Sequence, residues 1–486
     1  MLFNSIEFVL FLIVVLVVYN FLSQKGRLIF LLLASCFFYS CWNFKYLFLI
    51  AFTSVSSYTI ALLIVDEKFK KYRALLLSIC IIINLAILFF FKYFNFFNKT
   101  ISQISALLGG SYHFSMLNFL LPVGISFYTF ECFSYVIDVY RGSLKPEKSI
   151  LRFFLFVTYF PKLVAGPIVR SDHILPQLRV FKNFKEENFR KGLTLILWGL
   201  FKKMVIADRL AISVNHVYNN VKGASSLSLI IATIFFTYQI YCDFSGYSDI
   251  AIGVSKLLGI DLMENFRRPY FSKTVTEFWR RWHISLSSWF RDYLYIPLGG
   301  SRVSVGRWVF NSIFVFLISG LWHGANYTFL IWGGIHGVMI VVEKFYYGKN
   351  ISKIKSGVTP ANIVRWAITY FVVMVGWIFF RANTLHDSIA IIRKIVDFGN
   401  FGNDVKAIFT QGGAEGLLGL NFYDFILAVL FPLILVSINF KVRKSGLVNY
   451  VYEQSTFKRW SLYLLATFII FWFGKFGVNE FIYFQF

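Results

Sequence analysis

Seven histidines are the residues best suited to proton transfer, and three of them stand in unusual surroundings. His113, His173, His216 and His386 lie in polar connecting stretches, where a solvated or interfacial imidazole is the default. His283, His323 and His336 lie in apolar or aromatic ones. Burying an ionisable group in a bilayer is costly, so an intramembrane histidine is a candidate for function before it is a candidate for packing. His323 sits in Leu321-Trp322-His323-Gly324, between the apolar segments 310–320 and 329–342. Gly324 and Ala325 leave room for a ligand to approach it, and Asn326, Tyr327 and Thr328 add hydrogen-bonding groups. The competing reading is a core histidine satisfied by a backbone carbonyl.

His283 belongs to Phe278-Trp-Arg-Arg-Trp-His-Ile-Ser-Leu-Ser-Ser-Trp-Phe-Arg-Asp-Tyr-Leu-Tyr-Ile-Pro-Leu-Gly-Gly300, which mixes Trp, Tyr and Arg with apolar residues. One reading is an amphipathic surface helix anchored by its aromatics. The other is a cytoplasmic entrance for an anionic acyl carrier, with Arg280, Arg281 and Arg291 holding phosphates bidentately. A third segment, Tyr238-Gln-Ile-Tyr-Cys-Asp-Phe-Ser-Gly-Tyr-Ser-Asp249, breaks a long apolar run with two carboxylates and several hydroxyls. Asp243 or Asp249 is suited to orienting a histidine or pairing with an arginine. Metal chemistry has no signature: there is no His-Glu-x-x-His and no close histidine pair. Gly246-Tyr-Ser-Asp-Ile250 lacks the last glycine of a nucleophile elbow, and no phosphate-binding loop or dinucleotide fingerprint occurs.

These residues must be positioned by membrane-spanning elements. Of the 486 residues 57% are hydrophobic and 15% charged, where a soluble domain carries about 25% charged. Apolar segments fall at about 6–22, 28–43, 47–65, 74–95, 116–139, 192–213, 227–257, 308–321, 327–343, 361–380, 421–439 and 460–475, each near the roughly 20 residues a bilayer core requires. The expected fold is all-α, a polytopic integral membrane protein of roughly 11–13 spans. Two mixed pieces, about 150–168 and 270–300, read as re-entrant or interfacial, because irregular backbone at that depth survives only inside protein or beside a water-filled cavity. The polar stretch 383–420 reads as an external loop or surface helix. No linker or repeat divides the chain, so residues 1–486 read as one membrane domain, with a core at about 116–380, peripheral helices at 1–95 and 421–475, and a tail at 476–486.

The net charge of +24 points to lipid headgroups and cytoplasmic loops rather than nucleic acid, since Lys and Arg cluster between apolar spans. With the N-terminus outside, 36 of the 48 basic residues fall inside and ten outside, while Lys202 and Lys203 interrupt a span. The positive-inside rule therefore places both termini outside. No basic n-region or small-residue cleavage site marks a signal peptide. Cys36, Cys41, Cys80, Cys132 and Cys242 lie in apolar surroundings and read as small hydrophobes. On this topology His323 is near the turn of an inside-out-inside hairpin. Its first arm, 308–320, is about 20 Å of helix, short of a hydrocarbon core about 30 Å thick, which puts His323 within the outer half of the membrane.

Several blocks in order now identify a family. Leu121-Pro-Val-Gly-Ile-Ser-Phe-Tyr-Thr-Phe130, Phe160-Pro-Lys-Leu-Val-Ala-Gly-Pro167, the Asp243 block, the 279–300 block, Trp322-His323-Gly324 and the ending Phe481-Ile-Tyr-Phe-Gln-Phe486 together resemble the membrane-bound O-acyltransferase family, in particular its bacterial alginate O-acetyltransferase-like branch. The resemblance implies an intramembrane funnel with His323 as the catalytic histidine at its base and His283 as the second motif histidine. It implies an acyl group from a cytoplasmic donor, delivered to a hydroxyl on the far side, with a periplasmic or extracellular acetyltransferase protein of the same export system as partner. The expected location is the bacterial cytoplasmic membrane.

The chemistry that follows is general-base catalysis, which contributes about 10²–10⁴-fold. Neutral His323 takes the proton of a hydroxyl as that hydroxyl attacks a thioester carbonyl. Asn326, Tyr241 or a backbone N–H near Gly324 are the candidate oxyanion donors, and Trp322 a supporting residue. Acetyl-CoA or another acyl thioester is the expected donor substrate, with no bound cofactor and no metal. The expected acceptor is an exported polysaccharide such as alginate. Peptidoglycan O-acetylation and teichoic-acid D-alanylation use the same chemistry. Tyr483, placed outside by the topology, is a possible acyl relay, or else an aromatic interface anchor. From composition alone a polysaccharide or lipid transporter fits equally well. A scaffold with degenerate chemistry is disfavoured by the intact histidine blocks.

Overall fold

The computed structural model describes residues 1–486 except 115, 118, 165, 349–356, 411, 444, 478–480 and 483–486. All regular elements among the described residues are helical. Every apolar segment of the sequence falls on a helix, although 116–124 precedes its helix, Ile125–Tyr140. Among the described residues eight helical runs are long and apolar enough to cross a membrane, and Ile6–Phe21 is a shorter apolar helix of 16 residues. The polar stretch after 383 forms three short helices, Leu385–Ile395, Phe401–Ile408 and Gly413–Leu418.

The chain divides into two compact units. The first comprises Met1–Gly192 and Ala251–Met263. Its helix Ile150–Thr158 stops at Tyr159 and restarts as Phe160–Leu163, with Pro161 in the new first turn, where a missing N–H leaves no bond unmade. This broken piece is buried, as expected of irregular backbone at depth. Two of the motif blocks pack together here. Lys162 is paired with Glu131, whose other oxygen accepts the Val169 N–H at 3.2 Å. Gly124, at φ +75°, lies so close to Leu163 that a Cβ would stand 2.4 Å from its carbonyl oxygen.

The second unit comprises Leu193–Ile250 and Glu264–Phe486 and contains His283, His323 and His336. Its centre is a hairpin of two helices, Val305–His323 and Tyr327–Tyr347. The arms touch backbone to backbone. A Cβ on Gly320 would lie 2.2 Å from the Phe329 carbonyl oxygen, and one on Gly333 2.2 Å from that of Phe316. Lipid gives helices no hydrophobic reason to associate, so small residues that permit close van der Waals approach do so instead.

One expectation is corrected here. The first arm has 19 residues, about 28 Å of helix at 1.5 Å per residue. It is not too short to cross, because the hydrogen-bonded helix runs through Arg307 and through Trp322-His323, where the apolar pattern stops. Its length therefore gives no reason to place His323 inside the bilayer.

Candidate active site

His323 is the last residue of the first arm and is only 2% exposed. Its ring lies 5.0 Å from that of Trp322, 4.9 Å from Trp332 on the second arm, and 5.4 Å from Phe380 on the helix Pro360–Arg381. Aromatic packing rather than helix length removes it from water. The space over Gly324 is not open to a ligand, in contrast to the sequence expectation. The Phe329 ring occupies it, and a Cβ there would stand 2.1 Å from Cε2. His336 lies deeper in the same hairpin, stacked on Phe278 at 6.2 Å and edge-on to Trp279 at 5.1 Å.

His283 comes from the irregular segment. The helix Val275–Trp279 is capped by Thr274, whose hydroxyl accepts the Glu277 N–H, and ends before Arg280. The next helix is Ile284–Phe290, and His283 joins the two in the left-handed conformation, φ 43° and ψ 55°. Only Arg268 and His283 among described non-glycine residues have positive φ. Such backbone is strained, and it gathers at functional sites.

Asn265 holds the strained turn. Its backbone carbonyl accepts the Ile284 N–H at 3.0 Å, and Arg267 N–H donates to the Arg281 carbonyl at 2.9 Å. Its side-chain Oδ1 accepts the Ser285 N–H at 3.2 Å, accepts the Ser285 hydroxyl at 2.9 Å, and lies 3.2 Å from His283 Nδ1. A backbone N–H is an unambiguous donor, so the atom facing Ser285 must be the amide oxygen. His283 therefore carries its proton on Nδ1, and Nε2 is the acceptor. Burial pushes this imidazole down to about 3, which keeps it neutral. The ring is set edge-on against Phe244 at 4.6 Å and lies 6.4 Å from the His323 ring.

The same unit holds a cavity of about 880 Å³ whose lining includes Arg268, Lys273, Arg280, Arg281 and Arg443, together with Trp366, and none of the three histidines. Arg281 is paired with Glu277 at 2.5 Å. Arg280 and Arg281 are thus brought together, as the segment suggested. Arg291 does not line that cavity. It pairs with its neighbour Asp292 at 2.7 Å and lines a second cavity of about 510 Å³, to which Arg280 and Thr276 also contribute. Arg268, Lys273 and Arg443 were legible only as cytoplasmic charge. Asn265 carried no signal of its own in the sequence.

The remaining candidates have specific engagements. Asn326 caps the second arm: its Oδ1 accepts the Thr328 N–H at 3.2 Å, and its Nδ2 donates to the Asn383 carbonyl at 3.3 Å. Tyr241 is buried against Tyr270, Phe266 and Trp282. Asp243 pairs with Lys203 rather than with an arginine, at 2.9 Å, and Asp249 pairs with Lys202 at 2.7 Å. Lys202 and Lys203, the charges that interrupt a span, stand in a π-helical stretch, Phe201–Ala207. The irregular turn brings both buried ammoniums to carboxylates, Asp243 buried and Asp249 partly so, since a buried charge requires a partner. Tyr483 lies outside the described residues.

The membrane-bound O-acyltransferase family profile matches residues 146–383, which include both His283 and His323. The probable alginate O-acetylase of Pseudomonas putida is 39% identical over 405 residues, 82% of this chain and 81% of that protein. The peptidoglycan O-acetyltransferase of Helicobacter pylori is 37% identical over 393 residues, 75% of this chain and 73% of that protein. The teichoic acid D-alanyltransferase of Bacillus subtilis is 29% identical over 291 residues, 55% of this chain and 71% of that protein.

Proposed function

The chain belongs to the membrane-bound O-acyltransferase family, and from that premise we propose that His323 is the general base for acetyl transfer from a cytoplasmic thioester to an exported polysaccharide. The protein is a multi-pass membrane O-acyltransferase. The observation that carries the proposal is the buried pair of imidazoles, His323 and His283, whose rings lie 6.4 Å apart in the unit that also holds the cation-lined cavity.

In the proposed reaction the acceptor hydroxyl attacks the thioester carbonyl while His323 takes its proton. The tetrahedral intermediate collapses, the carbon–sulfur bond breaks, and the thiolate leaves with a proton returned from His323. His283 has Nδ1 committed to Asn265, so its Nε2 suits receiving a hydroxyl hydrogen rather than stabilising an oxyanion. Acetyl-CoA is the proposed donor. Arg268, Arg280 and Arg443 would hold its phosphates through charge-assisted bonds. All five cations of the cavity come from stretches that the positive-inside rule assigns to the cytoplasm, 256–307 and 441–459. That agreement supports the orientation with both termini outside and the bacterial cytoplasmic membrane as the location.

The acceptor proposed first is alginate or a similar polymer, because relatives named for alginate O-acetylation share 39% identity over most of both chains. Peptidoglycan is the second reading, on the Helicobacter pylori relative. A periplasmic or extracellular acetyltransferase partner would complete delivery, and Tyr483 is proposed as an intermediate hydroxyl that carries the group there. The decisive experiment is mass analysis of surface polymers from cells carrying His323→Ala at an unchanged membrane level. Loss of one ester-linked acetyl species is expected; an unaltered ester profile would remove the proposal.

A further inference from the structure

Lys203, Asp208 and Asp243 form a buried charge cluster that proton transfer between histidines and substrate does not use. The Lys203 ammonium lies 2.8 Å from Asp208 and 2.9 Å from Asp243 Oδ1, and all three side chains are at most 4% exposed. One cation between two carboxylates leaves an excess acceptor oxygen. Asp243 Oδ2 uses it to accept the backbone N–H of Ile482 at 2.8 Å, 239 positions away along the chain. The same π-helical stretch takes a second bond from the C-terminal segment: Lys475 N–H donates to the Met204 carbonyl at 3.0 Å. Phe481 and Ile482 are buried, at 0% and 2%. The Phe481 ring packs on Tyr247 at 4.7 Å and on Phe244 at 5.6 Å. Phe244 follows Asp243 in sequence and is the ring set edge-on to His283.

A buried ion cluster is weak evidence for stability, because desolvation offsets much of the attraction; fixing one arrangement among several is its better-attested use. Here the fixed object is the pair Phe481-Ile482, held to a residue 239 positions away along the chain. We propose that Asp243 is a positioning residue for acyl transfer: held by Lys203 and Asp208, it seats the C-terminal segment through the Ile482 N–H, so that Phe481 backs Phe244 and Phe244 backs the His283 ring. The inference rests on the reading of His283 and His323 as the reacting pair.

Asp243→Asn is a sharp probe because it is isosteric and both partners of the carboxylate are donors. One of its two positions becomes an NH₂ group, so either Lys203 or the Ile482 N–H loses its acceptor. The ammonium, being charged, retains the oxygen, and the segment is released. Ile482→Pro breaks the same bond from the other side by removing the N–H, and leaves the charge cluster intact.

The experiment uses the full chain in native membranes. Ile482→Cys is treated with a maleimide and compared with the chain that retains Ile482, first with Asp243 present and then with Asp243→Asn. The added thiol should be protected in the first case and labelled at least fivefold faster in the second. In chains without the reporter, Asp243→Asn and Ile482→Pro should each lower acetyl transfer about tenfold, and the two together no more than either. His323→Ala should abolish transfer while its Ile482→Cys reporter stays protected. An active His323→Ala chain would thus indict the catalytic reading and not the seating of the segment. The proposal is overturned by a reporter that stays protected with Asp243→Asn, by release without loss of transfer, by multiplicative losses in the double variant, or by failure of both single variants to reach the membrane.

Discussion

The imidazole rings of His283 and His323 lie 6.4 Å apart with their planes at 61°. One ring stands on a left-handed turn and the other at the end of a 19-residue helix. Neither element depends on the other for its local geometry. Their meeting rests on the Asn265 loop on one side and on the glycine seam of the hairpin on the other, and each side can be tested by itself.

Asn265→Leu removes the acceptor that fixes the His283 tautomer and the turn around it. A misplacement of about 1 Å at a reacting group costs about 100-fold in rate. Transfer should fall by about that factor at an unchanged membrane level. Asn265→Asp should fall less, because a carboxylate still accepts from His283 and from Ser285. Equal losses in the two variants would show that the amide oxygen is not what positions the ring.

Gly320→Ala places a Cβ 2.2 Å from the Phe329 carbonyl oxygen. Backbone cannot swing aside as a side chain can, so the arms must separate, at a cost of about 1–3 kcal/mol. The midpoint of thermal inactivation in detergent should drop, and transfer should fall with it. Gly306→Ala, on the same helix but facing open space, should leave both unchanged.

Arg280→Ala and Arg443→Ala should raise the KM for acetyl-CoA more than they lower kcat. A hydrogen bond to a charged group is worth about 1.5–3 kcal/mol, or about 10–100-fold. Arg291→Ala should have a much smaller effect, since Arg291 is paired with Asp292 outside that cavity. Steady-state kinetics with acetyl-CoA as the varied substrate distinguish these outcomes.

Lys203→Met leaves Asp208 and Asp243 buried without their shared cation. Breaking a buried pair from one side costs about 3–5 kcal/mol. The amount of protein in the membrane should fall sharply, and a second change, Asp208→Asn, should restore part of it. No restoration would mean that uncompensated charge is not the cause.

The sequence already revealed the helices, because a bilayer demands long apolar runs and the chain supplies them. It also singled out His323 and the pair Arg280 and Arg281 as candidates, because these are local features. Asn265 was not legible: its contacts with His283 and Ser285 join positions 18 and 20 residues away, and an asparagine in a loop has many uses. Arg443 reaches the cavity from another helix end, and basic residues at helix ends are expected whether or not they bind anything. The reading of Gly324 failed because a missing side chain reveals vacancy only until one knows what fills it, and Phe329 folds back from the next helix to do so. The length of the first arm was underestimated because hydropathy ends at Trp308 and Gly320, whereas backbone hydrogen bonding continues on both sides.

The glycine seam has a further consequence for how the enzyme meets different lipids. Because the arms are locked carbonyl against Cα at Gly320 and Gly333, a thicker or thinner bilayer cannot slide one past the other. Mismatch must be absorbed by tilting the hairpin or by deforming the surrounding lipid, each at a fraction of a kcal/mol per ångström. The distance from His323 to Trp332 is therefore buffered against acyl-chain length, and membranes that remodel their lipids with temperature would leave this part of the site at constant geometry.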